Sequence, residues 1–380
     1  MLDPESLRPH YHAFLDPSRV LLTGHSHQAW PDVAKAGVIA AFEDAALRVD
    51  DKWERAFGKA AVLRSAIARI IGAKEDEVAL GQNTHELVAR FLSALPLRER
   101  PRLITTSGEF NSMVRQLRRL SEEGIEIEWV EARPVATLAD RLVAAVDERA
   151  SAVLCSTVLF ETAEIVPDLP RVTAAAHSVG AAVLFDAYHA FGVVPQRLSE
   201  LGPDPIYYTA GGYKYAQWGE GCCFLRVPSG THHRPVYTGW FADFATLGEG
   251  QAKVVGYGAA GQDRFAGSTY DPTSHYRAAE VVRFFERTGM TVPLLRELSL
   301  QQTGRIIERL GDETILTPRD ETRGGFVAVR VPEARELVAR LRNEGVFVDA
   351  RGDILRFGPA PYLTDDELDR GVDAFRRLRR

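Results

Sequence analysis

Short apolar runs alternate with stretches of helical periodicity through the middle of the chain, and this alternation predicts a layered α/β unit. Ala152–Val158 predicts a buried strand. Pro170–Ser178 predicts a helix, which Gly180 ends in the manner of a C-cap glycine. Ala182–Phe185 predicts a second strand closing at Asp186, Pro205–Thr209 a third and Cys222–Val227 a fourth. Strand, helix, strand at this spacing implies parallel βαβ units in a sheet covered on both faces.

The rhythm changes toward the C-terminus. Phe326–Val331 predicts a strand, Glu333–Asn343 a helix, and Val346–Asp349 and Ile354–Phe357 two further short strands. Thr364 followed by Glu367 has the form of a capping box opening a last helix. Ser274–Arg287 predicts a long helix joining the two parts. The expected fold class is α/β, with a large, mostly parallel sheet domain over residues 20–285. A small α+β domain is expected over residues 286–380 together with 1–19.

Composition narrows the class. Hydrophobic residues at 45% and charged residues at 26% are the proportions of a folded globular chain, not of a disordered one. A net charge of −6 removes the global basic footprint of a nucleic-acid binder. Arg335, Arg340 and Arg342 interleave with Glu333, Glu336 and Glu344 as the mixed charges of a solvated helix face. Cys155, Cys222 and Cys223 form neither a disulfide framework nor a zinc motif. Met1–Arg8 is mostly polar and no apolar run nears the ~20 residues of a membrane span. A soluble, cytoplasmic protein with no nucleic-acid or membrane partner is therefore expected.

Lysine is scarce. Only Lys35, Lys52, Lys59, Lys74, Lys214 and Lys253 stand among the 46 lysines and arginines. An Ala- and Arg-rich genome accounts for the ratio, but it leaves Lys214 alone in the middle of the chain. Asp186 lies at the carboxyl end of a buried strand, where open α/β sheets place their ligands. Lys214 follows 28 positions later, in Gly211-Gly-Tyr213-Lys214-Tyr215. An aspartate and then a lysine on a glycine-rich turn suit pyridoxal 5'-phosphate. The amine forms a Schiff base, and the carboxylate keeps the pyridine nitrogen protonated so that the ring draws electrons. Leu80–Leu87 passes from strand to helix, where backbone N–H groups and the Thr84 hydroxyl would make an anion site. Taken singly, each has a plainer reading: a surface lysine, a strand-end cap, a helix capped by Asn83 or Thr84. Their order along the strand ends favours the cofactor site.

These motifs resemble the kynureninases, pyridoxal-phosphate enzymes of the aminotransferase class V group with the fold type I architecture. The likeness runs from about Leu15 to Tyr362. Leu21–Ser26 resembles the family's LDGNSLG, Asn83-Thr84-His85 its STS segment, and Gly108–Met113 its NFPTD. Asp186–Gly192 is similar to DLAHSAG, and Gly212–Tyr215 to GYKYLN, the most specific of the set. Gly239-Trp240-Phe241 resembles GWWGH, Arg264–Thr269 RFxxGTP, and Arg356–Leu363 RxGxxPLY.

The resemblance implies roles. Lys214 would carry the Schiff base and remove the Cα proton; Asp186 would pair with the pyridinium, with His189 close by. Phe110 would stack on the ring. Thr84, the amide of His85, and Tyr213 would hold the phosphate, with Tyr213 also a general acid. Trp240, Ser268 and Thr269 would reach a neighbouring subunit's site in a homodimer with shared active sites. Arg356 would form a bidentate pair with the α-carboxylate of a small amino-acid substrate, and His25 and Ser26, with His27 nearby, would line the substrate site. Phe110, Trp240 and His189 also read as core or interface residues, and Arg356 as a surface ion pair. The implied activity is hydrolytic Cβ–Cγ cleavage of kynurenine to anthranilate and alanine. The alternatives are a class V aminotransferase or β-lyase acting on another amino acid, and a non-catalytic binding protein of this fold. A cysteine desulfurase is disfavoured, since no cysteine follows Cys223 to serve as a mobile thiolate. The chain departs from the family at Met113, Phe241-Ala242-Asp243 and Tyr362-Leu363, positions expected to lie nearer substrate than cofactor.

Overall fold

The computed structural model describes residues 2–249 and 253–379. Seven strands build the large sheet: β1 (Val78–Gly81), β2 (Arg102–Thr106), β3 (Glu126–Val130), β4 (Ala150–Ser156), β5 (Ala182–Asp186), β6 (Tyr207–Gly211) and β7 (Cys223–Arg226). Their order is β1-β7-β6-β5-β4-β2-β3. Strands β2 to β6 run parallel, while β7 is antiparallel to both its neighbours. This reversal departs from the parallel pattern for a simple reason. Only residues 212–222 join β6 to β7, and a parallel return needs a crossover of about a dozen residues or more.

Helices α1 (Val33–Arg48), α2 (Lys52–Ile71), α3 (Thr84–Ala94), α4 (Asn111–Glu122), α5 (Leu138–Ala145), α6 (Leu169–Ser178) and α7 (Thr273–Thr288) surround this sheet. Successive strand residues point to opposite faces, so each strand feeds two cores. Val153, Val183 and Phe185 pack with Leu63 of α2 and Val172 of α6. Ala152, Leu154 and Leu184 pack with Phe91 of α3 and Leu117 of α4. Gly180 ends α6 as expected, at φ +70°, with the Ala181 N–H returning to the Ala176 carbonyl at 2.9 Å. Strand β6 starts two residues later than the apolar pattern suggests. The Ile206 N–H is taken by Asp204 and its carbonyl by Arg226, so neither joins the ladder.

A three-stranded antiparallel sheet, β8 (Val327–Arg330), β9 (Asp349–Arg351) and β10 (Ile354–Phe357), forms the C-terminal unit in the order β9-β10-β8. Helices α8 (Val292–Leu310), α9 (Ala334–Asn343) and α10 (Asp365–Arg379) pack with it. The strand expected over Val346–Asp349 divides between two sheets: Val346–Phe347 pairs in parallel with Val20–Leu21, and Asp349 opens β9. Leu7, Tyr11, Val20, Leu22 and Ala29 accordingly share one core with Val327, Leu355 and Phe375. The capping box before α10 is formed, with the Thr364 N–H donating to the Glu367 carboxylate at 3.0 Å. No helix among the described residues is long and apolar enough to cross a membrane.

Arg226 ties the antiparallel edge together. Its buried guanidinium reaches Glu77, just before β1, at 3.1 Å and Asp204, just before β6, at 2.6 Å. Glu77 is itself buried, so Arg226→Ala leaves an unpaired buried carboxylate. We expect the substitution to lower unfolding free energy by about 3–5 kcal/mol, measured by chemical denaturation. A loss near zero would mean the pair contributes no net stability.

Candidate active site

Strand register assembles the site. The ladders set Ser156 beside Asp186 and Asp186 beside Thr209. Because β7 runs the other way, its first residue, Cys223, lies opposite both Gly211 and Gly81. Five strands therefore deliver chemistry to one edge of the sheet. A cavity of about 450 Å³ opens there, lined by Thr84, His85, Phe110, Asp186, His189, Tyr213 and Lys214. The structure thus brings together the expected Schiff-base lysine, its aspartate and the phosphate segment.

Backbone bonds hold the lysine loop. Gly212 N–H reaches the Cys222 carbonyl at 2.8 Å, Trp218 N–H reaches Gly212, and Gln217 N–H returns to the Lys214 carbonyl at 3.0 Å. Gln217 stands at φ +59° and is held by Tyr11 and Gln28, which ties the N-terminal segment to the loop. On the opposite side, Asn83 caps α3 by accepting the Glu86 N–H at 2.9 Å. That cap leaves the earliest helical N–H groups, those of Thr84 and His85, at the positive end of the helix dipole beside the cavity.

Lys214 is the only buried lysine among the described residues. Its Nζ lies 2.7 Å from His189 Nε2. Burial holds the amine down from its ordinary 10.5 to about 7; Asp186 opposes the shift and Arg356 adds to it. Burial likewise holds His189 well below its usual range, helped by Lys214 and Arg356, so the imidazole is neutral and accepts from the amine. Its Nδ1 is buried without a hydrogen-bond partner. Burial pushes the Asp186 carboxyl up, while the Tyr188 N–H, at 2.9 Å, and Lys214 pull it down. Burial also pushes the Tyr213 phenol up to about 12, so it keeps its proton at neutral pH.

Several neighbours escaped the sequence reading. Glu109 is buried beside Phe110 and accepts from Thr106 Oγ1, Ser156 Oγ and the Ser156 N–H at 2.5, 2.6 and 3.1 Å. Burial pushes its carboxyl up to about 7. Ser156 ends β4 as Asp186 ends β5, but two residues before the end expected from the apolar run, so the strand-end rule would have pointed close to it. Tyr188 lines the cavity where the family pattern has alanine, and that departure was the available signal.

Arg356 and His25 sit behind the cavity in a closed network. Asp349 takes the lateral fork of Arg356, through Nε at 2.9 Å and Nη2 at 2.5 Å, and Nη1 donates to the Phe160 carbonyl at 2.6 Å. N–H groups on Nη1 and Nη2 remain for another acceptor. His25 Nε2 lies 2.8 Å from the same Asp349. His25, His189 and Arg356 all pack around the buried ring of Phe326, at 4.7, 5.5 and 5.5 Å. Ser26 bonds back to the Thr23 carbonyl rather than facing the cavity. His27 stacks on Tyr213 at 5.1 Å.

Trp240, Ser268 and Thr269 lie outside this cavity. Trp240 is exposed, and its Nε1 donates to Thr269 Oγ1 at 3.2 Å. Ser268 and Thr269 line an adjoining space of about 450 Å³ with Tyr237, Phe241 and Phe244. The departures from the family pattern are mostly buried structural positions. Met113 packs in the core with Leu87 and Leu117, Phe241 sits in an aromatic cluster with Trp53 and Tyr270, and Leu363 is in the C-terminal core. Tyr362 is fully buried and accepts the Ala29 N–H at 2.8 Å. Phe241 also lines the adjoining space, whereas Met113, Tyr362 and Leu363 are placed by core packing.

The donor set fits pyridoxal phosphate. An amine near neutrality, a carboxylate at a strand end and a helix N-terminus share one cavity, and Phe110 offers a ring face on its wall. Solved structures with the same fold include a mutant of C-DES with glycine covalently linked to its PLP cofactor (17% identical, TM-score 0.85, covering 97% of this chain and 98% of that one). The cysteine desulfurase CsdA of Escherichia coli is another (16% identical, TM-score 0.82, covering 99% and 98%). Fold and site together define a fold type I pyridoxal-phosphate-dependent enzyme. Residues 295–375 match the kynureninase C-terminal domain. The chain is 30% identical to the kynureninase of Salinispora tropica over 349 residues, covering 82% of this chain and 78% of that protein. It is 25% identical to the kynureninase of Geobacillus thermodenitrificans over 409 residues, covering 99% and 92%. The chain belongs to the kynureninase family.

The lowered Lys214 pKa has a sign that can be checked. The folded protein releases this proton near 7, whereas the unfolded chain holds it to 10.5. Between those values the unfolded state binds more protons, so cofactor-free stability rises with pH and the cost is fully present below pH 7. Cofactor-free Lys214→Met should therefore be more stable than cofactor-free wild type below pH 7, by a few kcal/mol. The gap should close as pH rises toward 10.5. Denaturant melts at several pH values measure this, and a gap independent of pH would refute it.

Proposed function

We propose that the chain hydrolyses the Cβ–Cγ bond of kynurenine or a closely related amino acid, releasing anthranilate and alanine. One observation carries this reading. Lys214, the one buried lysine among the described residues, shares a cavity with Asp186 and the α3 N-terminus, in a chain aligned along 99% of its length with a protein named kynureninase. Bound pyridoxal phosphate supplies an electron sink for bonds broken at the substrate's α-carbon. Thr84 and the His85 amide would hold its phosphate, Asp186 its ring nitrogen, and Phe110 its ring face. Tyr213 would share in phosphate binding.

The remaining roles belong to the chain's own side chains. Lys214 Nζ, held to about 7, is free at neutral pH to take a proton from the substrate's Cα. Tyr213 keeps its phenolic proton and can return one. Arg356 would direct its free N–H groups at the substrate α-carboxylate, with Asp349 holding its fork in place. His25 would back the substrate's carboxylate end through Asp349, and Ser26, turned to the Thr23 carbonyl, would shape the loop that carries it.

On this reading the chain acts as a homodimer with shared sites. Phe42, Leu47 and Val236 are 77%, 79% and 83% exposed, and Phe244 and Trp240 add to the uncovered apolar surface. Trp240, Ser268 and Thr269 would then reach the neighbour's cofactor. Phe42→Glu combined with Leu47→Glu should convert a dimer to monomer in sedimentation and weaken cofactor retention. A wild type that sediments as a monomer would remove the shared-site reading.

Incubation with kynurenine should yield fluorescent anthranilate, and Lys214→Ala should abolish both that product and the protein's visible absorption band. Alanine or pyruvate released from another amino acid, without anthranilate, would favour a β-lyase or aminotransferase instead. A coloured protein that turns over no amino acid would favour a binding role. Arg356→Lys keeps the charge but loses the planar fork. It should raise KM about 10- to 100-fold, the equivalent of about 1.5–3 kcal/mol, and change kcat less.

A further inference from the structure

We propose that Tyr188 is a positioning residue for Lys214: its ring face forms an aromatic wall of the cofactor cavity and steadies positive charge on the lysine nitrogen. Three rings approach Nζ, and Tyr188 is the nearest, with its centroid at 4.6 Å against 5.7 Å for Tyr213 and 5.8 Å for Phe110. A cation at this distance over a desolvated phenol ring is attracted by its quadrupole.

The ring is held there from several sides. The Tyr188 backbone N–H donates to Asp186 Oδ1 at 2.9 Å, its hydroxyl meets Cys223 Sγ at 3.5 Å, and its ring meets Tyr213 in a tilted pair at 4.9 Å. Gly211 makes the room. A methyl group there would stand 2.2 Å from the Tyr188 hydroxyl oxygen and 2.5 Å from Cys223 Sγ. The family pattern DLAHSAG places alanine where this chain has Tyr188. The large side chain and the small residue beneath it therefore form a matched pair. The other charged or titratable groups facing or acting on Nζ are Asp186, His189, His25, Tyr213, Cys223, Asp349, Arg351 and Arg356. Of these the two aspartates favour the cation by charge and the neutral His189 imidazole by accepting from it, and Asp186 would be engaged by the cofactor's ring nitrogen. Among the rings that favour it, Tyr188 is the nearest.

This inference rests on Lys214 being the cofactor-bearing lysine, and the test separates the two ideas. Pyridoxal-phosphate-loaded enzyme is titrated with pH while its visible absorption band is followed. Position 188 carries tyrosine, phenylalanine, then phenylalanines bearing increasing numbers of ring fluorines, which drain the ring face while almost preserving its shape. Tyr188→Phe should titrate like wild type. Each fluorine should lower the midpoint further, and Tyr188→Leu should lower it by about half a unit to one unit. The same series should raise the dissociation constant for pyridoxal phosphate in order. A midpoint that stays flat across the fluorinated series overturns the proposal, as does a Tyr188→Phe midpoint as low as that of Tyr188→Leu, which would make the hydroxyl responsible. A wild type with no visible band would sink the Lys214 assignment itself. Gly211→Ala, which crowds Tyr188 without removing it, should shift the midpoint in the same direction as Tyr188→Leu, and no shift there counts against the wall.

Discussion

An amine buried among aromatic rings is costly, and the architecture around Lys214 is organised to bear that cost. Taken out of water, an ammonium loses solvation that no single neighbour restores. Here a carboxylate at a strand end, a neutral imidazole at 2.7 Å and three ring faces share the task. The balance leaves the nitrogen near 7 rather than fully charged or fully neutral. A group poised there both receives and releases protons at neutral pH. Moving any one neighbour by an ångström would tip the balance, which explains why the loop carrying Lys214 is bonded on both sides.

The C-terminal unit takes part in the same electrostatics without lining the cavity. Arg356 and Asp349 sit on its sheet, His25 comes from the N-terminal segment, and His189 from the large sheet. All but Asp349 pack on Phe326, and His25 and Arg356 meet at Asp349. The parallel pairing of Val20–Leu21 with Val346–Phe347 is what carries His25 to that place. Arg356 depresses both Lys214 and His189, so the small unit tunes the amine from behind. A substrate carboxylate reaching the remaining N–H groups of Arg356 would partly cancel that field. The neighbouring folds of cysteine desulfurases bring no such chemistry with them: Cys155, Cys222 and Cys223 are all buried, and burial raises each thiol.

Much of this was legible in the chain. Four strands of the large sheet, the helix between two of them, the C-terminal strand-helix rhythm and the capping box at Thr364 all follow from periodicity and local chemistry. Asp186 and Lys214 could be paired because each sits at a strand end. The reversal of β7 was hidden, since an apolar run looks the same in either direction. So was the division of Val346–Asp349 between two sheets, because the partner strand lies more than 300 residues away.

What the sequence by itself determined was the set of short-range decisions: which segments alternate, where helices begin and end, and that only one lysine was available in the middle of the chain. Those depend on residues a few positions apart, within reach of one hydrogen bond or one helical turn. Tertiary structure alone decided the amine's proton affinity, the closing of Arg356's fork by Asp349, and the fit of Tyr188 over Gly211. Each depends on distance through space, from the seven positions between Asp349 and Arg356 across their hairpin to the far longer separations around Lys214. Desolvation and Coulomb forces act on that distance, and the order of residues does not encode it directly.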